Sequence, residues 1–86
     1  MQTMRKGSKG EEVRALQGNL KKLGFPIQDD GIYGDSTYNS VITVQSIFGY
    51  DVDGLVGPAT EKLIDKQLAR GWKLEAARNA VEKRST

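Results

Sequence analysis

The chain has 86 residues, 37% hydrophobic, 28% charged and 7% aromatic, the composition of one small globular domain with or without a tail. It contains no cysteine and no histidine. That excludes a disulfide framework, a thiol nucleophile, a zinc site built on Cys or His, and any Ser-His-Asp or Cys-His catalytic arrangement. The formal charge of +2 is segregated: residues 1–22 hold six basic and two acidic side chains, residues 23–61 six acids and no Lys or Arg, and residues 62–86 seven basic and three acidic ones.

The first helix is predicted near residues 9–23. Ser8-Lys9-Gly10-Glu11 reads as a capping box, and Val13, Leu16, Leu20 and Leu23 recur on one helical face. Gly24 then supplies a left-handed cap, and Phe25-Pro26 forbids continuation. The second helix is predicted from Asp35 to Phe48, with Gly34 as N-cap, Gly49 as terminator and a stripe of Tyr38, Val41, Val44 and Phe48. Its β-branched and hydroxyl residues make it a poor helix by propensity, and Val41 to Ile47 also suits a strand. The boundary signals decide for helix. The third helix starts at Gly57-Pro58, with proline at its first position, buries Ala59, Leu63, Ile64 and Leu68, and ends at Gly71. Leu74, Ala77 and Val81 keep helical spacing in residues 73–84, a docked fourth helix or a frayed tail. The expected architecture is all-α, a compact three-helix bundle over residues 1–70 with a C-terminal helical extension over 71–86.

Two segments align without gaps, 23 residues apart: Asp30-Gly31-Ile32-Tyr33-Gly34-Asp35-Ser36-Thr37 and Asp53-Gly54-Leu55-Val56-Gly57-Pro58-Ala59-Thr60. Asp-Gly makes a tight turn with glycine at positive φ, and the apolar pair anchors the loop on the core. The second glycine caps the next helix and allows a close backbone approach. Thr falls at the third helical position, where its hydroxyl serves the cap or faces a groove. Tyr33 and Tyr38 occupy staple positions around the start of the second helix.

These residues resemble the peptidoglycan-binding domain of the three-helix type found on amidases, endolysins and other wall hydrolases. The resemblance is carried by Lys6-Gly7-Ser8-Lys9-Gly10, Val13, Leu16-Gln17, Leu20, Leu23-Gly24-Phe25, the first repeat with Thr37, Val41, Val44-Gln45, and Val52 to Thr60 with Leu63. It departs from the family at Val44, where an aromatic residue is usual, at Tyr38 and Ile42, which are bulkier than usual, and over residues 69–86. The same fold forms part of metalloprotease propeptides, whose cysteine switch is absent here. The resemblance implies non-catalytic attachment to wall glycan or stem peptide, delivering an attached or associated catalytic hydrolase domain to the wall, with no cofactor or metal. It places the protein at the cell wall or periplasm. MQTMRKGSKG lacks the apolar stretch of a secretory signal, so the expectation is delivery by phage lysis or another domain, or a signal that has been removed.

The candidate ligand-binding residues are Tyr33, Asp35, Thr37, Tyr38, Asn39, Gln45, Leu55 and Thr60. Tyr rings stack on sugar faces, and hydroxyls and amides meet the polymer's amides. The expected groove lies between the first repeat loop and the start of the second helix, acidic, and bordered by Tyr33, Asp35, Thr37 and Tyr38. Its acids suit the amino group of a diaminopimelate side chain. Each choice has a plainer reading: Gln17 and Gln45 as bonds to loop backbone, Asp30 and Asp53 as turn-makers, Tyr33 as a core staple, Trp72 as an anchor for the tail.

Other functions fit less well. The acidic motif loops argue against nucleic acid, the basic ends reading as solvated helix faces. No apolar run approaches the roughly 20 residues needed to span a bilayer. Asp51-Val52-Asp53-Gly54 resembles part of an EF-hand loop, but Gly49 and Thr60 stand where the first carboxylate and the bidentate Glu belong. Glu11, Glu12, Asp30 and Asp35 could in principle supply a general acid and a nucleophile for glycan cleavage, but cap, surface and turn roles account for them. The expectation is therefore a monomer that is not an enzyme. The alternative is a protein–protein interaction module built on the same bundle, with no wall binding.

Overall fold

The computed structural model describes residues 3–74. Three helices follow in order: α1 (Glu11–Lys22), α2 (Asp35–Ile47) and α3 (Pro58–Arg70). The predicted all-α bundle is therefore the fold, with helix ends within two residues of expectation. Each helix closes with the same paired backbone bonds. Phe25 N–H reaches Leu20 O and Gly24 N–H reaches Lys21 O; Tyr50 and Gly49 repeat this after α2, and Trp72 and Gly71 after α3. The segment Val41 to Ile47 is helical despite its β-branched content. Ser40 and Thr43 donate their hydroxyls to the carbonyls of Ser36 and Asn39, at 3.0 and 2.7 Å, so these groups are satisfied within the helix.

The capping box does not form. Gly10, at φ 128°, precedes α1, so Glu11 is the first helical residue rather than the third. Ser8 Oγ instead accepts the Arg5 N–H at 3.0 Å. The reason is tertiary: the backbone around Ser8 is committed to the first repeat loop. Tyr33 N–H donates to Ser8 O, Gly7 N–H to Tyr33 O and Gly10 N–H to Gly31 O, all within 2.9 Å. Met4 pairs in the same antiparallel way with Val56 of the second loop. One N-terminal arm thus ties down both repeats.

The core combines the predicted stripes with residues from the loops. Val13, Leu16, Leu20, Leu23, Val41, Val44, Leu63 and Ile64 are buried, joined by Met4, Phe25, Tyr33 and Val56 from outside the helices. Ala59, expected on the buried face of α3, is exposed; the first turn of that helix instead presents Thr60 inward, to Gln45. After α3 the chain folds back on the end of α1. Trp72 meets Phe48 edge-on at 5.2 Å, Leu74 N–H donates to Leu23 O at 2.7 Å, and Lys73 Nζ reaches Lys22 O. Trp72 is thus a packing anchor. The predicted helix over 73–84 lies, beyond Leu74, outside the described residues.

Candidate functional site

The two repeats are built around two buried glutamines. Gln17 sits on α1, and its Oε1 accepts the Gly31 N–H at 2.8 Å. Its Nε2 faces Ile32 O at 2.8 Å, Thr37 Oγ1 at 3.0 Å and Asp30 Oδ1 at 3.2 Å. Gln45 on α2 does the same for the second loop: Oε1 accepts from Gly54 N–H, and Nε2 faces Asp53 Oδ1, Leu55 O and Thr60 Oγ1. Each aspartate also accepts the amide two residues on, Ile32 N–H or Leu55 N–H, closing an Asx turn. The glutamines and aspartates are therefore loop architecture, as their plainer reading had it.

Those contacts hold the Asp30 and Asp53 carboxyls below the usual carboxylate range. The backbone bond from Ile32 or Leu55 is the main cause, and the glutamine amide adds to it. A general acid for glycan cleavage would need the opposite shift. A lowered folded pKa favours the ionised form in the fold, so the contribution is present above the ordinary value of 3.8 and is lost as pH falls through the lower folded value. The thermal midpoint is therefore expected to hold steady from neutral pH to about the carboxylate range and to drop below it. In an Asp30→Asn, Asp53→Asn double variant the midpoint should start lower and fall less; an unchanged acid limb would assign that limb to other carboxylates.

The tyrosines are more enclosed than the sequence suggested. Tyr33 is 1% exposed, and its hydroxyl donates to Gly54 O at 2.6 Å, linking the first repeat to the second. Burial, more than the nearby Tyr38 and Asp53, pushes its phenol pKa well up. Tyr38 is half-buried against Gly54, and Lys6 Nζ lies 5.3 Å from its ring centroid. Lys6 also pairs with Asp35 at 2.6 Å, and that hydrogen bond, with the charge of Asp35, raises the Lys6 pKa.

Between the first repeat loop and the start of α2 lies a groove of about 480 Å³. Asp35 and Thr37 line it, as expected; Tyr33 and Tyr38 do not. Its other walls are Pro26, Ile27 and Gln28 on one side and Asp30, Ile32 and Ser36 on the other. Asn39 lines a shallower hollow that shares Pro26, Ile27 and Ser36 with the groove. Gln45 on α2 and Thr60 on α3 are buried against the second loop, in which Leu55 is exposed. Sequence reasoning passed over Pro26 to Gln28, although one signal marks them. Glutamine and aspartate are 13 residues apart in the first repeat and 8 in the second, and the surplus residues build the groove wall. It also missed Lys6, which brings a cation to the expected acidic rim, as Lys21 does 3.6 Å from Asp29.

The described residues form a small three-helix unit whose buried polar side chains are tied into two loops, with a polar groove beside the first. The chain belongs to the family described as "Putative peptidoglycan binding domain", which residues 9–64 match. It is 41% identical over 66 residues to a spore cortex-lytic enzyme of Halalkalibacterium halodurans, covering 76% of this chain and 20% of that protein. It is likewise 41% identical over 64 residues to the N-acetylmuramoyl-L-alanine amidase CwlL of Bacillus licheniformis, covering 71% of this chain and 18% of that one. The chain thus spans about a fifth of the length of these relatives. Among solved structures it is similar to the SleB N-terminal domain, with a TM-score of 0.75 at 38% identity over 78% of this chain and 93% of that one. It is also similar to a Burkholderia AP3 phage endolysin, with a TM-score of 0.70 at 35% identity, covering 73% of this chain and 24% of that one.

Proposed function

We propose that the chain is a non-catalytic attachment module for bacterial peptidoglycan that holds a wall hydrolase, on the same or an associated chain, against its substrate. The carrying observation is the family match over residues 9–64, supported by relatives whose names describe wall-lytic enzymes several times longer than this chain. The groove beside Asp35 and Thr37 is the contact surface in this reading, with Ile32, Ser36 and Asn39 at its edge. Tyr33, Gln45 and Thr60 act indirectly, by fixing the loops. Tyr38 shapes the rim through Gly54 and Lys6, and exposed Leu55 is the corresponding position of the second loop.

The rim charges set the expected salt response. Of the two carboxylates that line the groove, Asp35 is paired with Lys6, so the groove presents less net negative charge than its own residues suggest. Binding through neutral groups follows, with little dependence on ionic strength. The test is incubation of the purified chain with protein-free sacculi across a range of salt. Depletion from the supernatant at every salt level, with no fall in turbidity and no released muropeptides, is the expected result. Released muropeptides would overturn the non-catalytic reading, and failure to sediment with the sacculi would overturn wall binding.

A further inference from the structure

The two loops hold the chain's only Asp-Gly bonds, Asp30-Gly31 and Asp53-Gly54. Among aspartyl bonds this one rearranges most readily, because glycine has no side chain to hinder attack by its own nitrogen. The glycine nitrogen bonds to the aspartate Cγ, and the hydroxyl of the protonated carboxyl leaves as water with the glycine N–H proton. Water then opens the resulting succinimide at the former main-chain carbonyl, adding hydroxyl to that carbon and returning a proton to nitrogen. The chain now runs through Cβ, and the aspartate has become isoaspartate. In both loops the aspartate is exposed, so solvent reaches its carboxyl, while the glycine is buried.

In the fold each participant in that step is engaged. Gly31 N–H donates to Gln17 Oε1 at 2.8 Å, and Gly54 N–H to Gln45 Oε1 at 3.0 Å, both in buried bonds. A nitrogen stripped of that proton would face the lone pairs of the glutamine oxygen, so the attacking form is disfavoured. On the other side, each aspartate Oδ1 is held by the amide two residues on and by the glutamine Nε2, which keeps the carboxyl on its Asx turn. The same bonds lower the carboxyl pKa and so deplete the neutral form, the one with a hydroxyl to lose. Beyond the bond, Gly31 O accepts from Gly10 N–H at 2.9 Å and Gly54 O from the Tyr33 hydroxyl at 2.6 Å, so both glycines are anchored on their far side as well.

We infer that Asp30-Gly31 and Asp53-Gly54 are latent sites of spontaneous isoaspartate formation, each held closed by the hydrogen bond from its glycine N–H to a buried glutamine. Rearrangement then waits on local opening of one loop rather than on unfolding of the whole domain. It is also self-locking. The isoaspartate carries its carboxylate on Cα and adds an atom to the main chain, so the Asx turn and the glutamine bonds cannot re-form around it. At Asp30, which lines the groove, that change deforms a groove wall. The inference stands on the two loops alone and does not depend on what the module binds.

The experiment ages the full chain and its Gln17→Leu and Gln45→Leu variants at neutral pH, below the thermal midpoint of each. Peptide mapping then separates isoaspartyl from aspartyl peptides at the two sites, and the parent in urea supplies the unprotected rates. The folded parent should convert more slowly than the urea sample at both sites, by about tenfold or more. Gln45→Leu should raise conversion at Asp53 about tenfold relative to Asp30, the scale of one hydrogen bond, and Gln17→Leu should do the reverse. The crossed pattern separates local protection from lost stability, since global unfolding drives the two sites toward their urea ratio in either variant. A second measurement needs no variant: amide hydrogen exchange of the parent at Gly31 and Gly54 reads the opening of each loop, and the faster-exchanging glycine should mark the faster-converting aspartate. Conversion of the folded parent at the urea rate, a site ratio that stays at the urea value in both leucine variants, or an exchange order opposite to the conversion order overturns the inference.

Discussion

Gly54→Ala is expected to destabilise the fold by about 2–4 kcal/mol, from a left-handed conformation forced on a residue with a side chain and from overpacking. Gly54 has φ 71°, and a Cβ there would run into the Tyr38 ring. Tyr38 has little freedom to retreat, since it packs against the core and lies under Lys6. Gly54 also holds both repeats together, its N–H on Gln45 and its carbonyl under the Tyr33 hydroxyl. For a domain of this size the loss corresponds to a fall in thermal midpoint of roughly 10 °C or more. Gly34→Ala and Gly57→Ala should change the midpoint little. Both have extended backbone, with φ −104° and −98°, and a Cβ on Gly34 meets nothing while one on Gly57 meets only Thr3 Oγ1 at 3.5 Å. Thermal melts of the three variants decide it, and a Gly34 variant as damaged as the Gly54 variant would show that the repeat's critical position has been misassigned.

That contrast shows what the sequence could and could not disclose. The repeat itself was legible, because its Asx turns and helix starts are local and each residue type has a local reason. The helix ends were legible for the same reason: Gly24, Gly49 and Gly71 mark them, and Pro58 marks a beginning. The close backbone approach was assigned to the second glycine of each repeat, whereas it occurs at the first. Gly31 stands 3.3 Å from Gly10 O when given a Cβ, and Gly54 meets Tyr38. Nothing local distinguishes these positions, since the partners come from residues far away in sequence. Ser8 failed as a cap for a similar reason, its backbone being recruited by Tyr33. Of the candidate groove, Asp35 and Thr37 were legible from their place at a helix start. The wall at Pro26 to Gln28 was not, because the longer spacing between Gln17 and Asp30 marks extra residues but not the groove they wall.

The glutamines carry the other large effect. Gln45→Leu is expected to cost about 3 kcal/mol, because it removes the four bonds that Gln45 makes to the second loop and leaves the buried Gly54 N–H without a partner. A chain of this length has about 4–13 kcal/mol of total stability, so the variant should sit near the edge of folding. Gln45→Glu separates lost bonds from simple cavity effects. A glutamate keeps the acceptor for Gly54 N–H but turns a second oxygen toward Asp53 Oδ1, Leu55 O and Thr60 Oγ1. Burial and the neighbouring aspartate disfavour its charge, so it should be less stable than the leucine variant at neutral pH. As pH falls and the new carboxyl takes up a proton, it regains a donor for one of those oxygens, and the gap between the two variants should narrow. Chemical denaturation of both variants at neutral and mildly acidic pH measures that gap. Were Gln45→Glu to match the parent at neutral pH, the amide would not be donating into the loop, and the shared plan of the two repeats would not be what holds them.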